Sequence, residues 1–373
     1  MKEIFISLRN IKIRFLYKAI LRRIFFSIEP ESMHNGMLIF GGFLGSNAIT
    51  RAITTLSFSY SNKRLEQKIL GVRFPNPIGL AAGYDKDAVL TEILPSVGFG
   101  FAEVGSITGE PCEGNPQPRL WRLEKSKSLA VHYGLKNEGC EKISKRLKNK
   151  KFAIPVGTSI AKTNSRGTVG LKEGINDYVK AYRKFIDIGS YFTINISCPN
   201  AFGGQPFTDE ERLDKLLNEI DKTPTKKPIF LKLSPDLSKN EIDKILQVAD
   251  QHKVDGFICT NLSKKRDTKK IIDKNVPEKG TFSGKPVEDS ANEQIRYVYQ
   301  KTKGKYIIIG CGGVFSAEDA YKKIKLGASL VQLITGMIFE GPQVISEINQ
   351  GLVHLLKRDG FSNISQAVGI GNK

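Results

Sequence analysis

Residues 191–200, Tyr-Phe-Thr-Ile-Asn-Ile-Ser-Cys-Pro-Asn, decide how the whole chain is read. The stretch begins as a strand, with β-branched and aromatic residues in alternation. It ends in small polar and reactive groups: Asn195, Ser197, Cys198 and Asn200. Pro199 has no N–H to give a strand ladder, so the strand is expected to stop there. Amides, a hydroxyl and a thiol are thereby presented at a strand's C-terminal end, where ligands bind in parallel α/β folds. Taken alone, Cys-Pro-Asn reads equally well as a polar turn with a buried thiol. The rest of the chain repeats the arrangement, which favours the functional reading.

Working outward, a βα rhythm runs from Gly71 onward. Short apolar runs predict strands at 77–83, 101–108, 153–160, 191–198, 228–234, 256–261, 306–310 and 330–335. Lys/Glu-rich stretches between them, such as 239–251 and 317–326, carry helical spacing. Eight strands separated mainly by helices predict a (β/α)8 TIM barrel over 71–358, with a helical extension at 1–70 and a tail at 359–373. A doubly wound open sheet is the alternative, but no G-x-G-x-x-G opens a helix early in the chain. Two connections, 111–137 and 263–286, are too long and polar for simple helices and read as lids or ligand walls.

The length of 373 residues, 40% of them hydrophobic, allows one large core plus an appendage. Five widely spaced cysteines with no C-x-x-C pair argue against a disulfide framework or a structural zinc site, and for a reducing compartment. No metal site is expected. No h-region precedes a small-residue cleavage site, so secretion is not expected. The net charge of +19 comes from Lys spread along the whole chain. Without an RNP-like motif, zinc finger or arginine tract, it reads as solvated surface rather than a nucleic-acid footprint.

Residues 1–70 differ in style, with eleven Lys/Arg against four Glu. Within 4–28, Phe5, Ile11, Phe15, Leu16, Ile20, Ile24 and Phe25 are interspersed with basic residues at helical spacing. Large apolar side chains beside basic heads suit a helix lying in a membrane interface. Residues 32–50 carry no formal charge but hold four glycines, His34, Asn35 and Asn47. That makes a poor spanning helix and a better interfacial or pocket-forming one. A targeting peptide, or a helix simply packed on the core, is the other reading.

The strand ends carry the chemistry. The first delivers Lys86, the second Thr108, the fourth Asn195, Ser197 and Cys198. The fifth delivers Lys232, the sixth Thr260 and Asn261, the seventh Gly312 and Gly313, and the eighth Thr335 and Gly336. Gly-rich turns after the last two strands expose backbone N–H groups, the usual phosphate cradle in barrels, to which Thr335 adds a hydroxyl. A Lys inside an apolar strand must meet an anion or lose its proton. Lys232 therefore suits a Schiff base, or negative charge on an electron-rich ring such as a reduced flavin. Snorkelling to the barrel rim is the alternative.

A series of ordered motifs reaches a family. They are Asn-Pro-Ile-Gly-Leu-Ala-Ala-Gly-Tyr-Asp-Lys-Asp (76–87), Glu-Val-Gly-Ser-Ile-Thr (103–108), Gly-Asn-Pro-Gln-Pro-Arg-Leu-Trp-Arg-Leu (114–123), Asn-Ile-Ser-Cys-Pro-Asn (195–200), Lys-Leu-Ser-Pro-Asp-Leu (232–237), Ser-Gly-Lys-Pro (283–286), Gly-Cys-Gly-Gly-Val (310–314) and Ile-Thr-Gly-Met-Ile-Phe-Glu-Gly-Pro (334–342). Together they resemble dihydroorotate dehydrogenase over roughly residues 15 to 350. Phe-Ser-Ile-Glu-Pro-Glu-Ser-Met-His (26–34) is similar to the class 2, quinone-dependent branch, in which an N-terminal helical hood sits on the membrane and admits quinone. The resemblance implies a bound FMN touched by Ala82, Gly83, Ser106, Lys232, Thr260, Ser283, Gly284, Gly312, Gly313, Thr335 and Gly336. It implies that Lys86, Asn195, Asn200 and Asn261 hold the substrate, and that Cys198 is the general base. The implied reaction oxidises dihydroorotate to orotate in pyrimidine biosynthesis and passes electrons to quinone. The implied location is peripheral on a membrane, either the cytoplasmic face of a bacterial plasma membrane or the mitochondrial inner membrane.

The sequence departs from that pattern in the substrate half. The base is Cys198, as in the soluble class 1 branch, where class 2 has Ser; a free thiol, with a pKa of about 8.5, loses its proton more easily than a hydroxyl. The family's orotate-binding Asn is replaced by Val131, a further Asn by Ser159, and the Thr after Asn261 by Leu262. Two other readings therefore stand beside the first: a flavin oxidoreductase acting on another dihydropyrimidine-like substrate, and a weakly catalytic membrane-associated flavoprotein.

Overall fold

The computed structural model describes residues 2–372. Eight parallel strands close into a barrel in simple chain order. They are β1 (Ile78–Leu80), β2 (Phe101–Ile107), β3 (Val156–Ile160), β4 (Tyr191–Asn195), β5 (Ile229–Leu233), β6 (Gly256–Cys259), β7 (Ile307–Cys311) and β8 (Leu330–Leu333). The ring closes where Val331 of β8 sits opposite Ile78 of β1. Strands buried on both faces read as near-continuous apolar runs, as Ile-Phe-Leu-Lys-Leu in β5 and Leu-Val-Gln-Leu in β8 show. The fold is thus the (β/α)8 TIM barrel expected from the sequence. Strand β4 ends four residues before Pro199, because the Asn195 side chain accepts the Ser197 N–H and turns the chain early.

Helices cover the outside, among them Lys239–Ala249 and Ala317–Lys325. Each starts with a reciprocal cap, Ser238 with Glu241 and Ser316 with Asp319, which satisfies N–H groups that the first helical turn cannot. The barrel floor is aromatic. Phe101, Tyr191 and Phe230 point inward above Phe74, which comes from a hairpin of Gln67–Ile69 with Val72–Phe74. Gly79 and Gly157 make room for them: a Cβ at either position would lie about 2.1 to 2.4 Å from the Tyr191 or Phe101 ring.

The N-terminal segment is helical: α1 (Lys2–Leu16) passes through one π-turn (Tyr17–Leu21) into α2 (Arg22–Ser27), followed by α3 (Pro30–Gly45) and α4 (Ala48–Phe58). It is pinned to the barrel by long-range bonds. Arg9 and Asn10 reach the Ser346 hydroxyl on the helix Val344–Arg358, and the Tyr17 hydroxyl donates to the Ile338 carbonyl. No helix among the described residues is long and apolar enough to cross a membrane.

The two long connections are not independent lids. Leu120–Leu123 and Ser128–Val131 from the first pair antiparallel with each other, and Thr281–Phe282 from the second adds a third strand. This small sheet stands over the barrel mouth. Arg122 ties it to the N-terminal helices by donating to the Ile28 carbonyl at 2.7 Å.

Candidate active site

The C-terminal ends of the strands open into one cavity of about 1280 Å³, counted to its open mouth. Ala82, Gly83 and Lys86 follow β1, and Ser106 lies in β2. Asn195, Cys198 and Asn200 come from β4 and its turn, Lys232 from β5, and Thr260 and Asn261 from the end of β6. Ser283 and Gly284 follow the outer sheet, Gly312 and Gly313 follow β7, and Thr335 and Gly336 open the short helix Thr335–Glu340. All sixteen line this cavity. Thr108 is not brought in: its hydroxyl is used by the Glu110 carbonyl and the Asn137 amide.

Asn195 and Asn261 share one network through Ser197, and Asn200 is held separately. Asn195 donates to Ser106 Oγ at 2.9 Å, and Ser106 meets Ser159 Oγ at 2.8 Å, which places Ser159 behind the cavity wall. Asn261 donates to Ser197 Oγ at 2.9 Å and to the Ser197 carbonyl at 3.1 Å. Asn200 donates to the Val131 carbonyl at 2.9 Å and to Thr281 Oγ1 at 3.1 Å, so the outer sheet fixes it. Val131 and Leu262 present apolar side chains to the cavity. The three amides are therefore oriented before any ligand arrives, which lowers the ordering cost of binding.

Lys232 and Lys86 face the cavity without a carboxylate partner among the described residues. Lys232 is 4% exposed and opens into the void. The Lys86 ammonium lies 3.9 Å over the Tyr133 ring and 3.3 Å from Nε2 of His34. Burial pulls its pKa down to about 8. Unpaired buried ammonium groups are costly, so both positions favour an anionic or electron-rich ligand.

Cys198 lines the same cavity, and burial pushes its thiol up to about 11; the Asn200 N–H and Lys162 oppose the rise. This environment lifts the thiol above its free value, because desolvation disfavours the thiolate more than the nearby donors favour it.

At the opposite end, the turn after β7 demands glycine. Gly313 has φ +74°, and a Cβ there would sit 2.4 Å from that of Glu288. Ser283 Oγ and Thr335 Oγ1 meet at 2.8 Å beside it. Backbone without side chains and paired hydroxyls suit phosphate oxygens.

The sequence reading did not assign His34, Tyr84, Tyr133 or Gln332 to the site, yet all four line it. Tyr133 lies two residues after Val131, and His34 ends the N-terminal motif, so a signal was there for both. Gln332 sits in an apolar strand with no local cue.

These features define a (β/α)8-barrel protein with one elongated ligand cavity at its mouth, roofed by N-terminal helices and a small antiparallel sheet. A family model described as dihydroorotate dehydrogenase matches residues 64–356, and the chain belongs to that family. It is 36% identical to a Dihydroorotate dehydrogenase (quinone) of Trichodesmium erythraeum, over 96% of this chain and 99% of the relative. It is 38% identical to one of Nostoc punctiforme, over 95% and 98%. Its fold is similar to that of a DHODH from Eimeria tenella solved in complex with ferulenol, with a TM-score of 0.83 at 27% identity, covering 92% of this chain and 96% of that one.

Proposed function

We propose that this protein oxidises (S)-dihydroorotate to orotate, with FMN as cofactor and a quinone as electron acceptor, in pyrimidine biosynthesis. One observation carries the reading: three pre-oriented amides, a thiol and two lysines without carboxylate partners share one cavity. That set suits a planar imide bearing a carboxylate, lying beside a flat electron-rich ring. The relatives' shared name, Dihydroorotate dehydrogenase (quinone), supports it.

The residues fit FMN. The Gly313 turn, Ser283, Gly284, Thr335 and Gly336 would hold its phosphate, and Ala82, Gly83, Ser106, Lys232, Thr260 and Gly312 its ring and ribityl chain. When bound, FMN supplies the hydride acceptor. The chain's own groups do the rest. Lys86 binds the substrate carboxylate. Asn195, Asn200 and Asn261 read the ring's carbonyls and N–H groups. Cys198 Sγ takes the C5 proton once its own proton has left. Lys232 offsets negative charge that develops above it. The outer sheet and the N-terminal helices exclude water. With Val131 and Leu262 as apolar walls, the three amides carry substrate recognition.

The segment 1–70 serves in this reading as a hood that rests on the membrane and admits quinone. Exposed apolar side chains on α1, α3 and α4 support that role. The reaction is tested by adding dihydroorotate anaerobically to FMN-loaded protein. Loss of flavin absorbance, reversed by a short-chain quinone, is the expected result; unchanged absorbance overturns the proposal.

A further inference from the structure

Beneath the cavity lies a buried charge that the proposed reaction does not use. Glu103, on β2, is fully buried. Its Oε2 accepts from Thr193 Oγ1 at 2.9 Å, from Gln332 Nε2 at 3.1 Å and from the Tyr191 hydroxyl at 3.4 Å, all neutral donors. Its Oε1 has no partner, and neither has Oε1 of Gln332. The carboxylate is therefore hydrogen-bonded on one side and met by no cation among the described residues. Lys232 presents the reverse case: an ammonium 4% exposed, without a carboxylate partner among the described residues, and set on β5 opposite Asn195, two positions beyond the Thr193 that bonds Glu103.

Lone buried charges are expensive, and opposite charges in a low-dielectric interior offset each other well beyond contact distance. Cys311 lies between the two influences. Burial raises its thiol pKa, Lys232 and then Lys323 oppose the rise, and Glu103 adds to it. Both charges thus reach one group on the cavity floor.

We propose that Glu103 is the counter-charge of Lys232, an electrostatic positioning residue that sets the net field of the barrel floor on the ligand above it. The inference rests on the reading that FMN occupies this cavity. Lys232 alone makes the floor strongly attractive to negative charge. Glu103 moderates that attraction, so the floor favours the anionic reduced flavin over the oxidised form by less than an unopposed lysine does. Glu103 touches no ligand; its effect is on the balance between the two flavin states.

The test is the midpoint potential of FMN bound to full-length protein. Glu103→Gln keeps the shape, removes the charge and supplies an N–H that the orphaned Gln332 Oε1 can accept. It is expected to favour the reduced state by about tenfold, a positive shift of ~30 mV for a two-electron couple. Lys232→Gln is expected to shift the potential the other way, and the double variant to fall between. Glu103→Asp, which keeps the charge, is expected to stay near wild type. An unchanged or more negative potential in Glu103→Gln with FMN bound overturns the proposal. So does an equal shift in Glu103→Asp, because shape rather than charge is then being read. A second readout needs no flavin: alkylation of Cys311 in the apoprotein, followed by peptide mass, is expected to be faster in Glu103→Gln. An unchanged alkylation rate also counts against the proposal. Wild-type protein that binds no FMN defeats the functional reading instead, and leaves the alkylation arm to judge Glu103.

Discussion

Nε2 of His34 accepts a hydrogen bond from Nζ of Lys86 at 3.3 Å, joining the N-terminal helices to the cavity wall. Burial, with Lys86 and Lys136 close by, holds the imidazole down to about 2, so it is neutral. A lysine ammonium only donates, so Nε2 is the acceptor and the ring proton sits on Nδ1. Tyr84 and Tyr133 hold the ring in edge-on contacts with centroids 5.0 and 6.2 Å away. Lys86 is thus aimed by two neutral partners, an imidazole and a π-face, and its charge stays available for a carboxylate. His34→Ala should leave FMN content unchanged and raise KM for dihydroorotate roughly fivefold, the worth of about 1 kcal/mol of lost orientation. Steady-state kinetics with a soluble dye as acceptor makes the measurement, and an unaltered KM removes His34 from this role.

The pH profile should separate Lys86 from Cys198. Lys86 has a lowered pKa of about 8. It is charged below that value and loses its charge as pH rises through it, so KM should be flat below pH 8 and climb above. A bound carboxylate favours the ammonium, so substrate binding should take up protons in the alkaline range. Cys198 has a raised value of about 11 and acts as a base only when ionised, so kcat should rise with pH across the accessible range. The two parameters should therefore diverge on the alkaline side; a KM that stays flat to pH 10 argues against Lys86 as the carboxylate partner.

Removing the thiol tests the base directly. Cys198 contributes no hydrogen-bonding group on which the amide network depends, since Asn195, Ser197 and Asn261 bond to one another. Cys198→Ala should retain bound FMN and slow anaerobic flavin reduction by about 10²–10⁴-fold, the usual worth of a general base. Loss of FMN together with the activity shows a structural role instead. Rapid-mixing absorbance resolves the two.

Much of this was legible in the residues. The eight strands are spelled out by apolar runs, and side chains at their C-terminal ends converge because the barrel geometry leaves them no other direction. What the sequence left unread depends on distant pairings. Thr281–Phe282 is a two-residue strand recognisable only against Ser128–Val131, about 150 positions earlier. The Glu103–Gln332 contact joins residues 229 apart. The high pKa of Cys198 reflects desolvation by a completed cavity, which no local motif encodes. His34 meets Lys86 only because α3 docks on the barrel.

That docking has its own anchor. Glu31, one turn before His34 on α3, is buried and forked by Arg119, with Nε at 2.9 Å from Oε2 and Nη2 at 2.7 Å from Oε1. Burial raises the carboxyl pKa, but Arg119 and Lys136 outweigh it and hold the group below its ordinary value. Removing one partner of a buried pair strands the other charge, at a cost of about 3–5 kcal/mol. Glu31→Gln should therefore loosen α3, lower the melting temperature and cut quinone-dependent turnover more than dye-dependent turnover. Equal loss with both acceptors shows that the anchor serves the barrel as a whole, not the hood.

The outer surface of the hood supplies the last test. Ile49, Ile53 and Leu56 are exposed on α4 at spacings of four and three, and Ile39 and Phe43 are exposed four apart on α3. Such spacing puts each set on one helix face, and a soluble surface rarely shows so many large apolar groups in register. Lys12, Arg14 and Arg23 on the neighbouring helices add positive charge. Burying a large apolar side chain is worth about 1.5–3 kcal/mol, so three together amount to roughly a thousandfold or more in partitioning. The triple variant Ile49→Asp/Ile53→Asp/Leu56→Asp should lose at least that much affinity for anionic vesicles in a sedimentation assay. Its dye-linked oxidation of dihydroorotate should remain, because none of the three side chains lines the cavity. Vesicle binding as tight as wild type places the membrane contact elsewhere on the protein, and leaves this apolar face without the lipid role given to it.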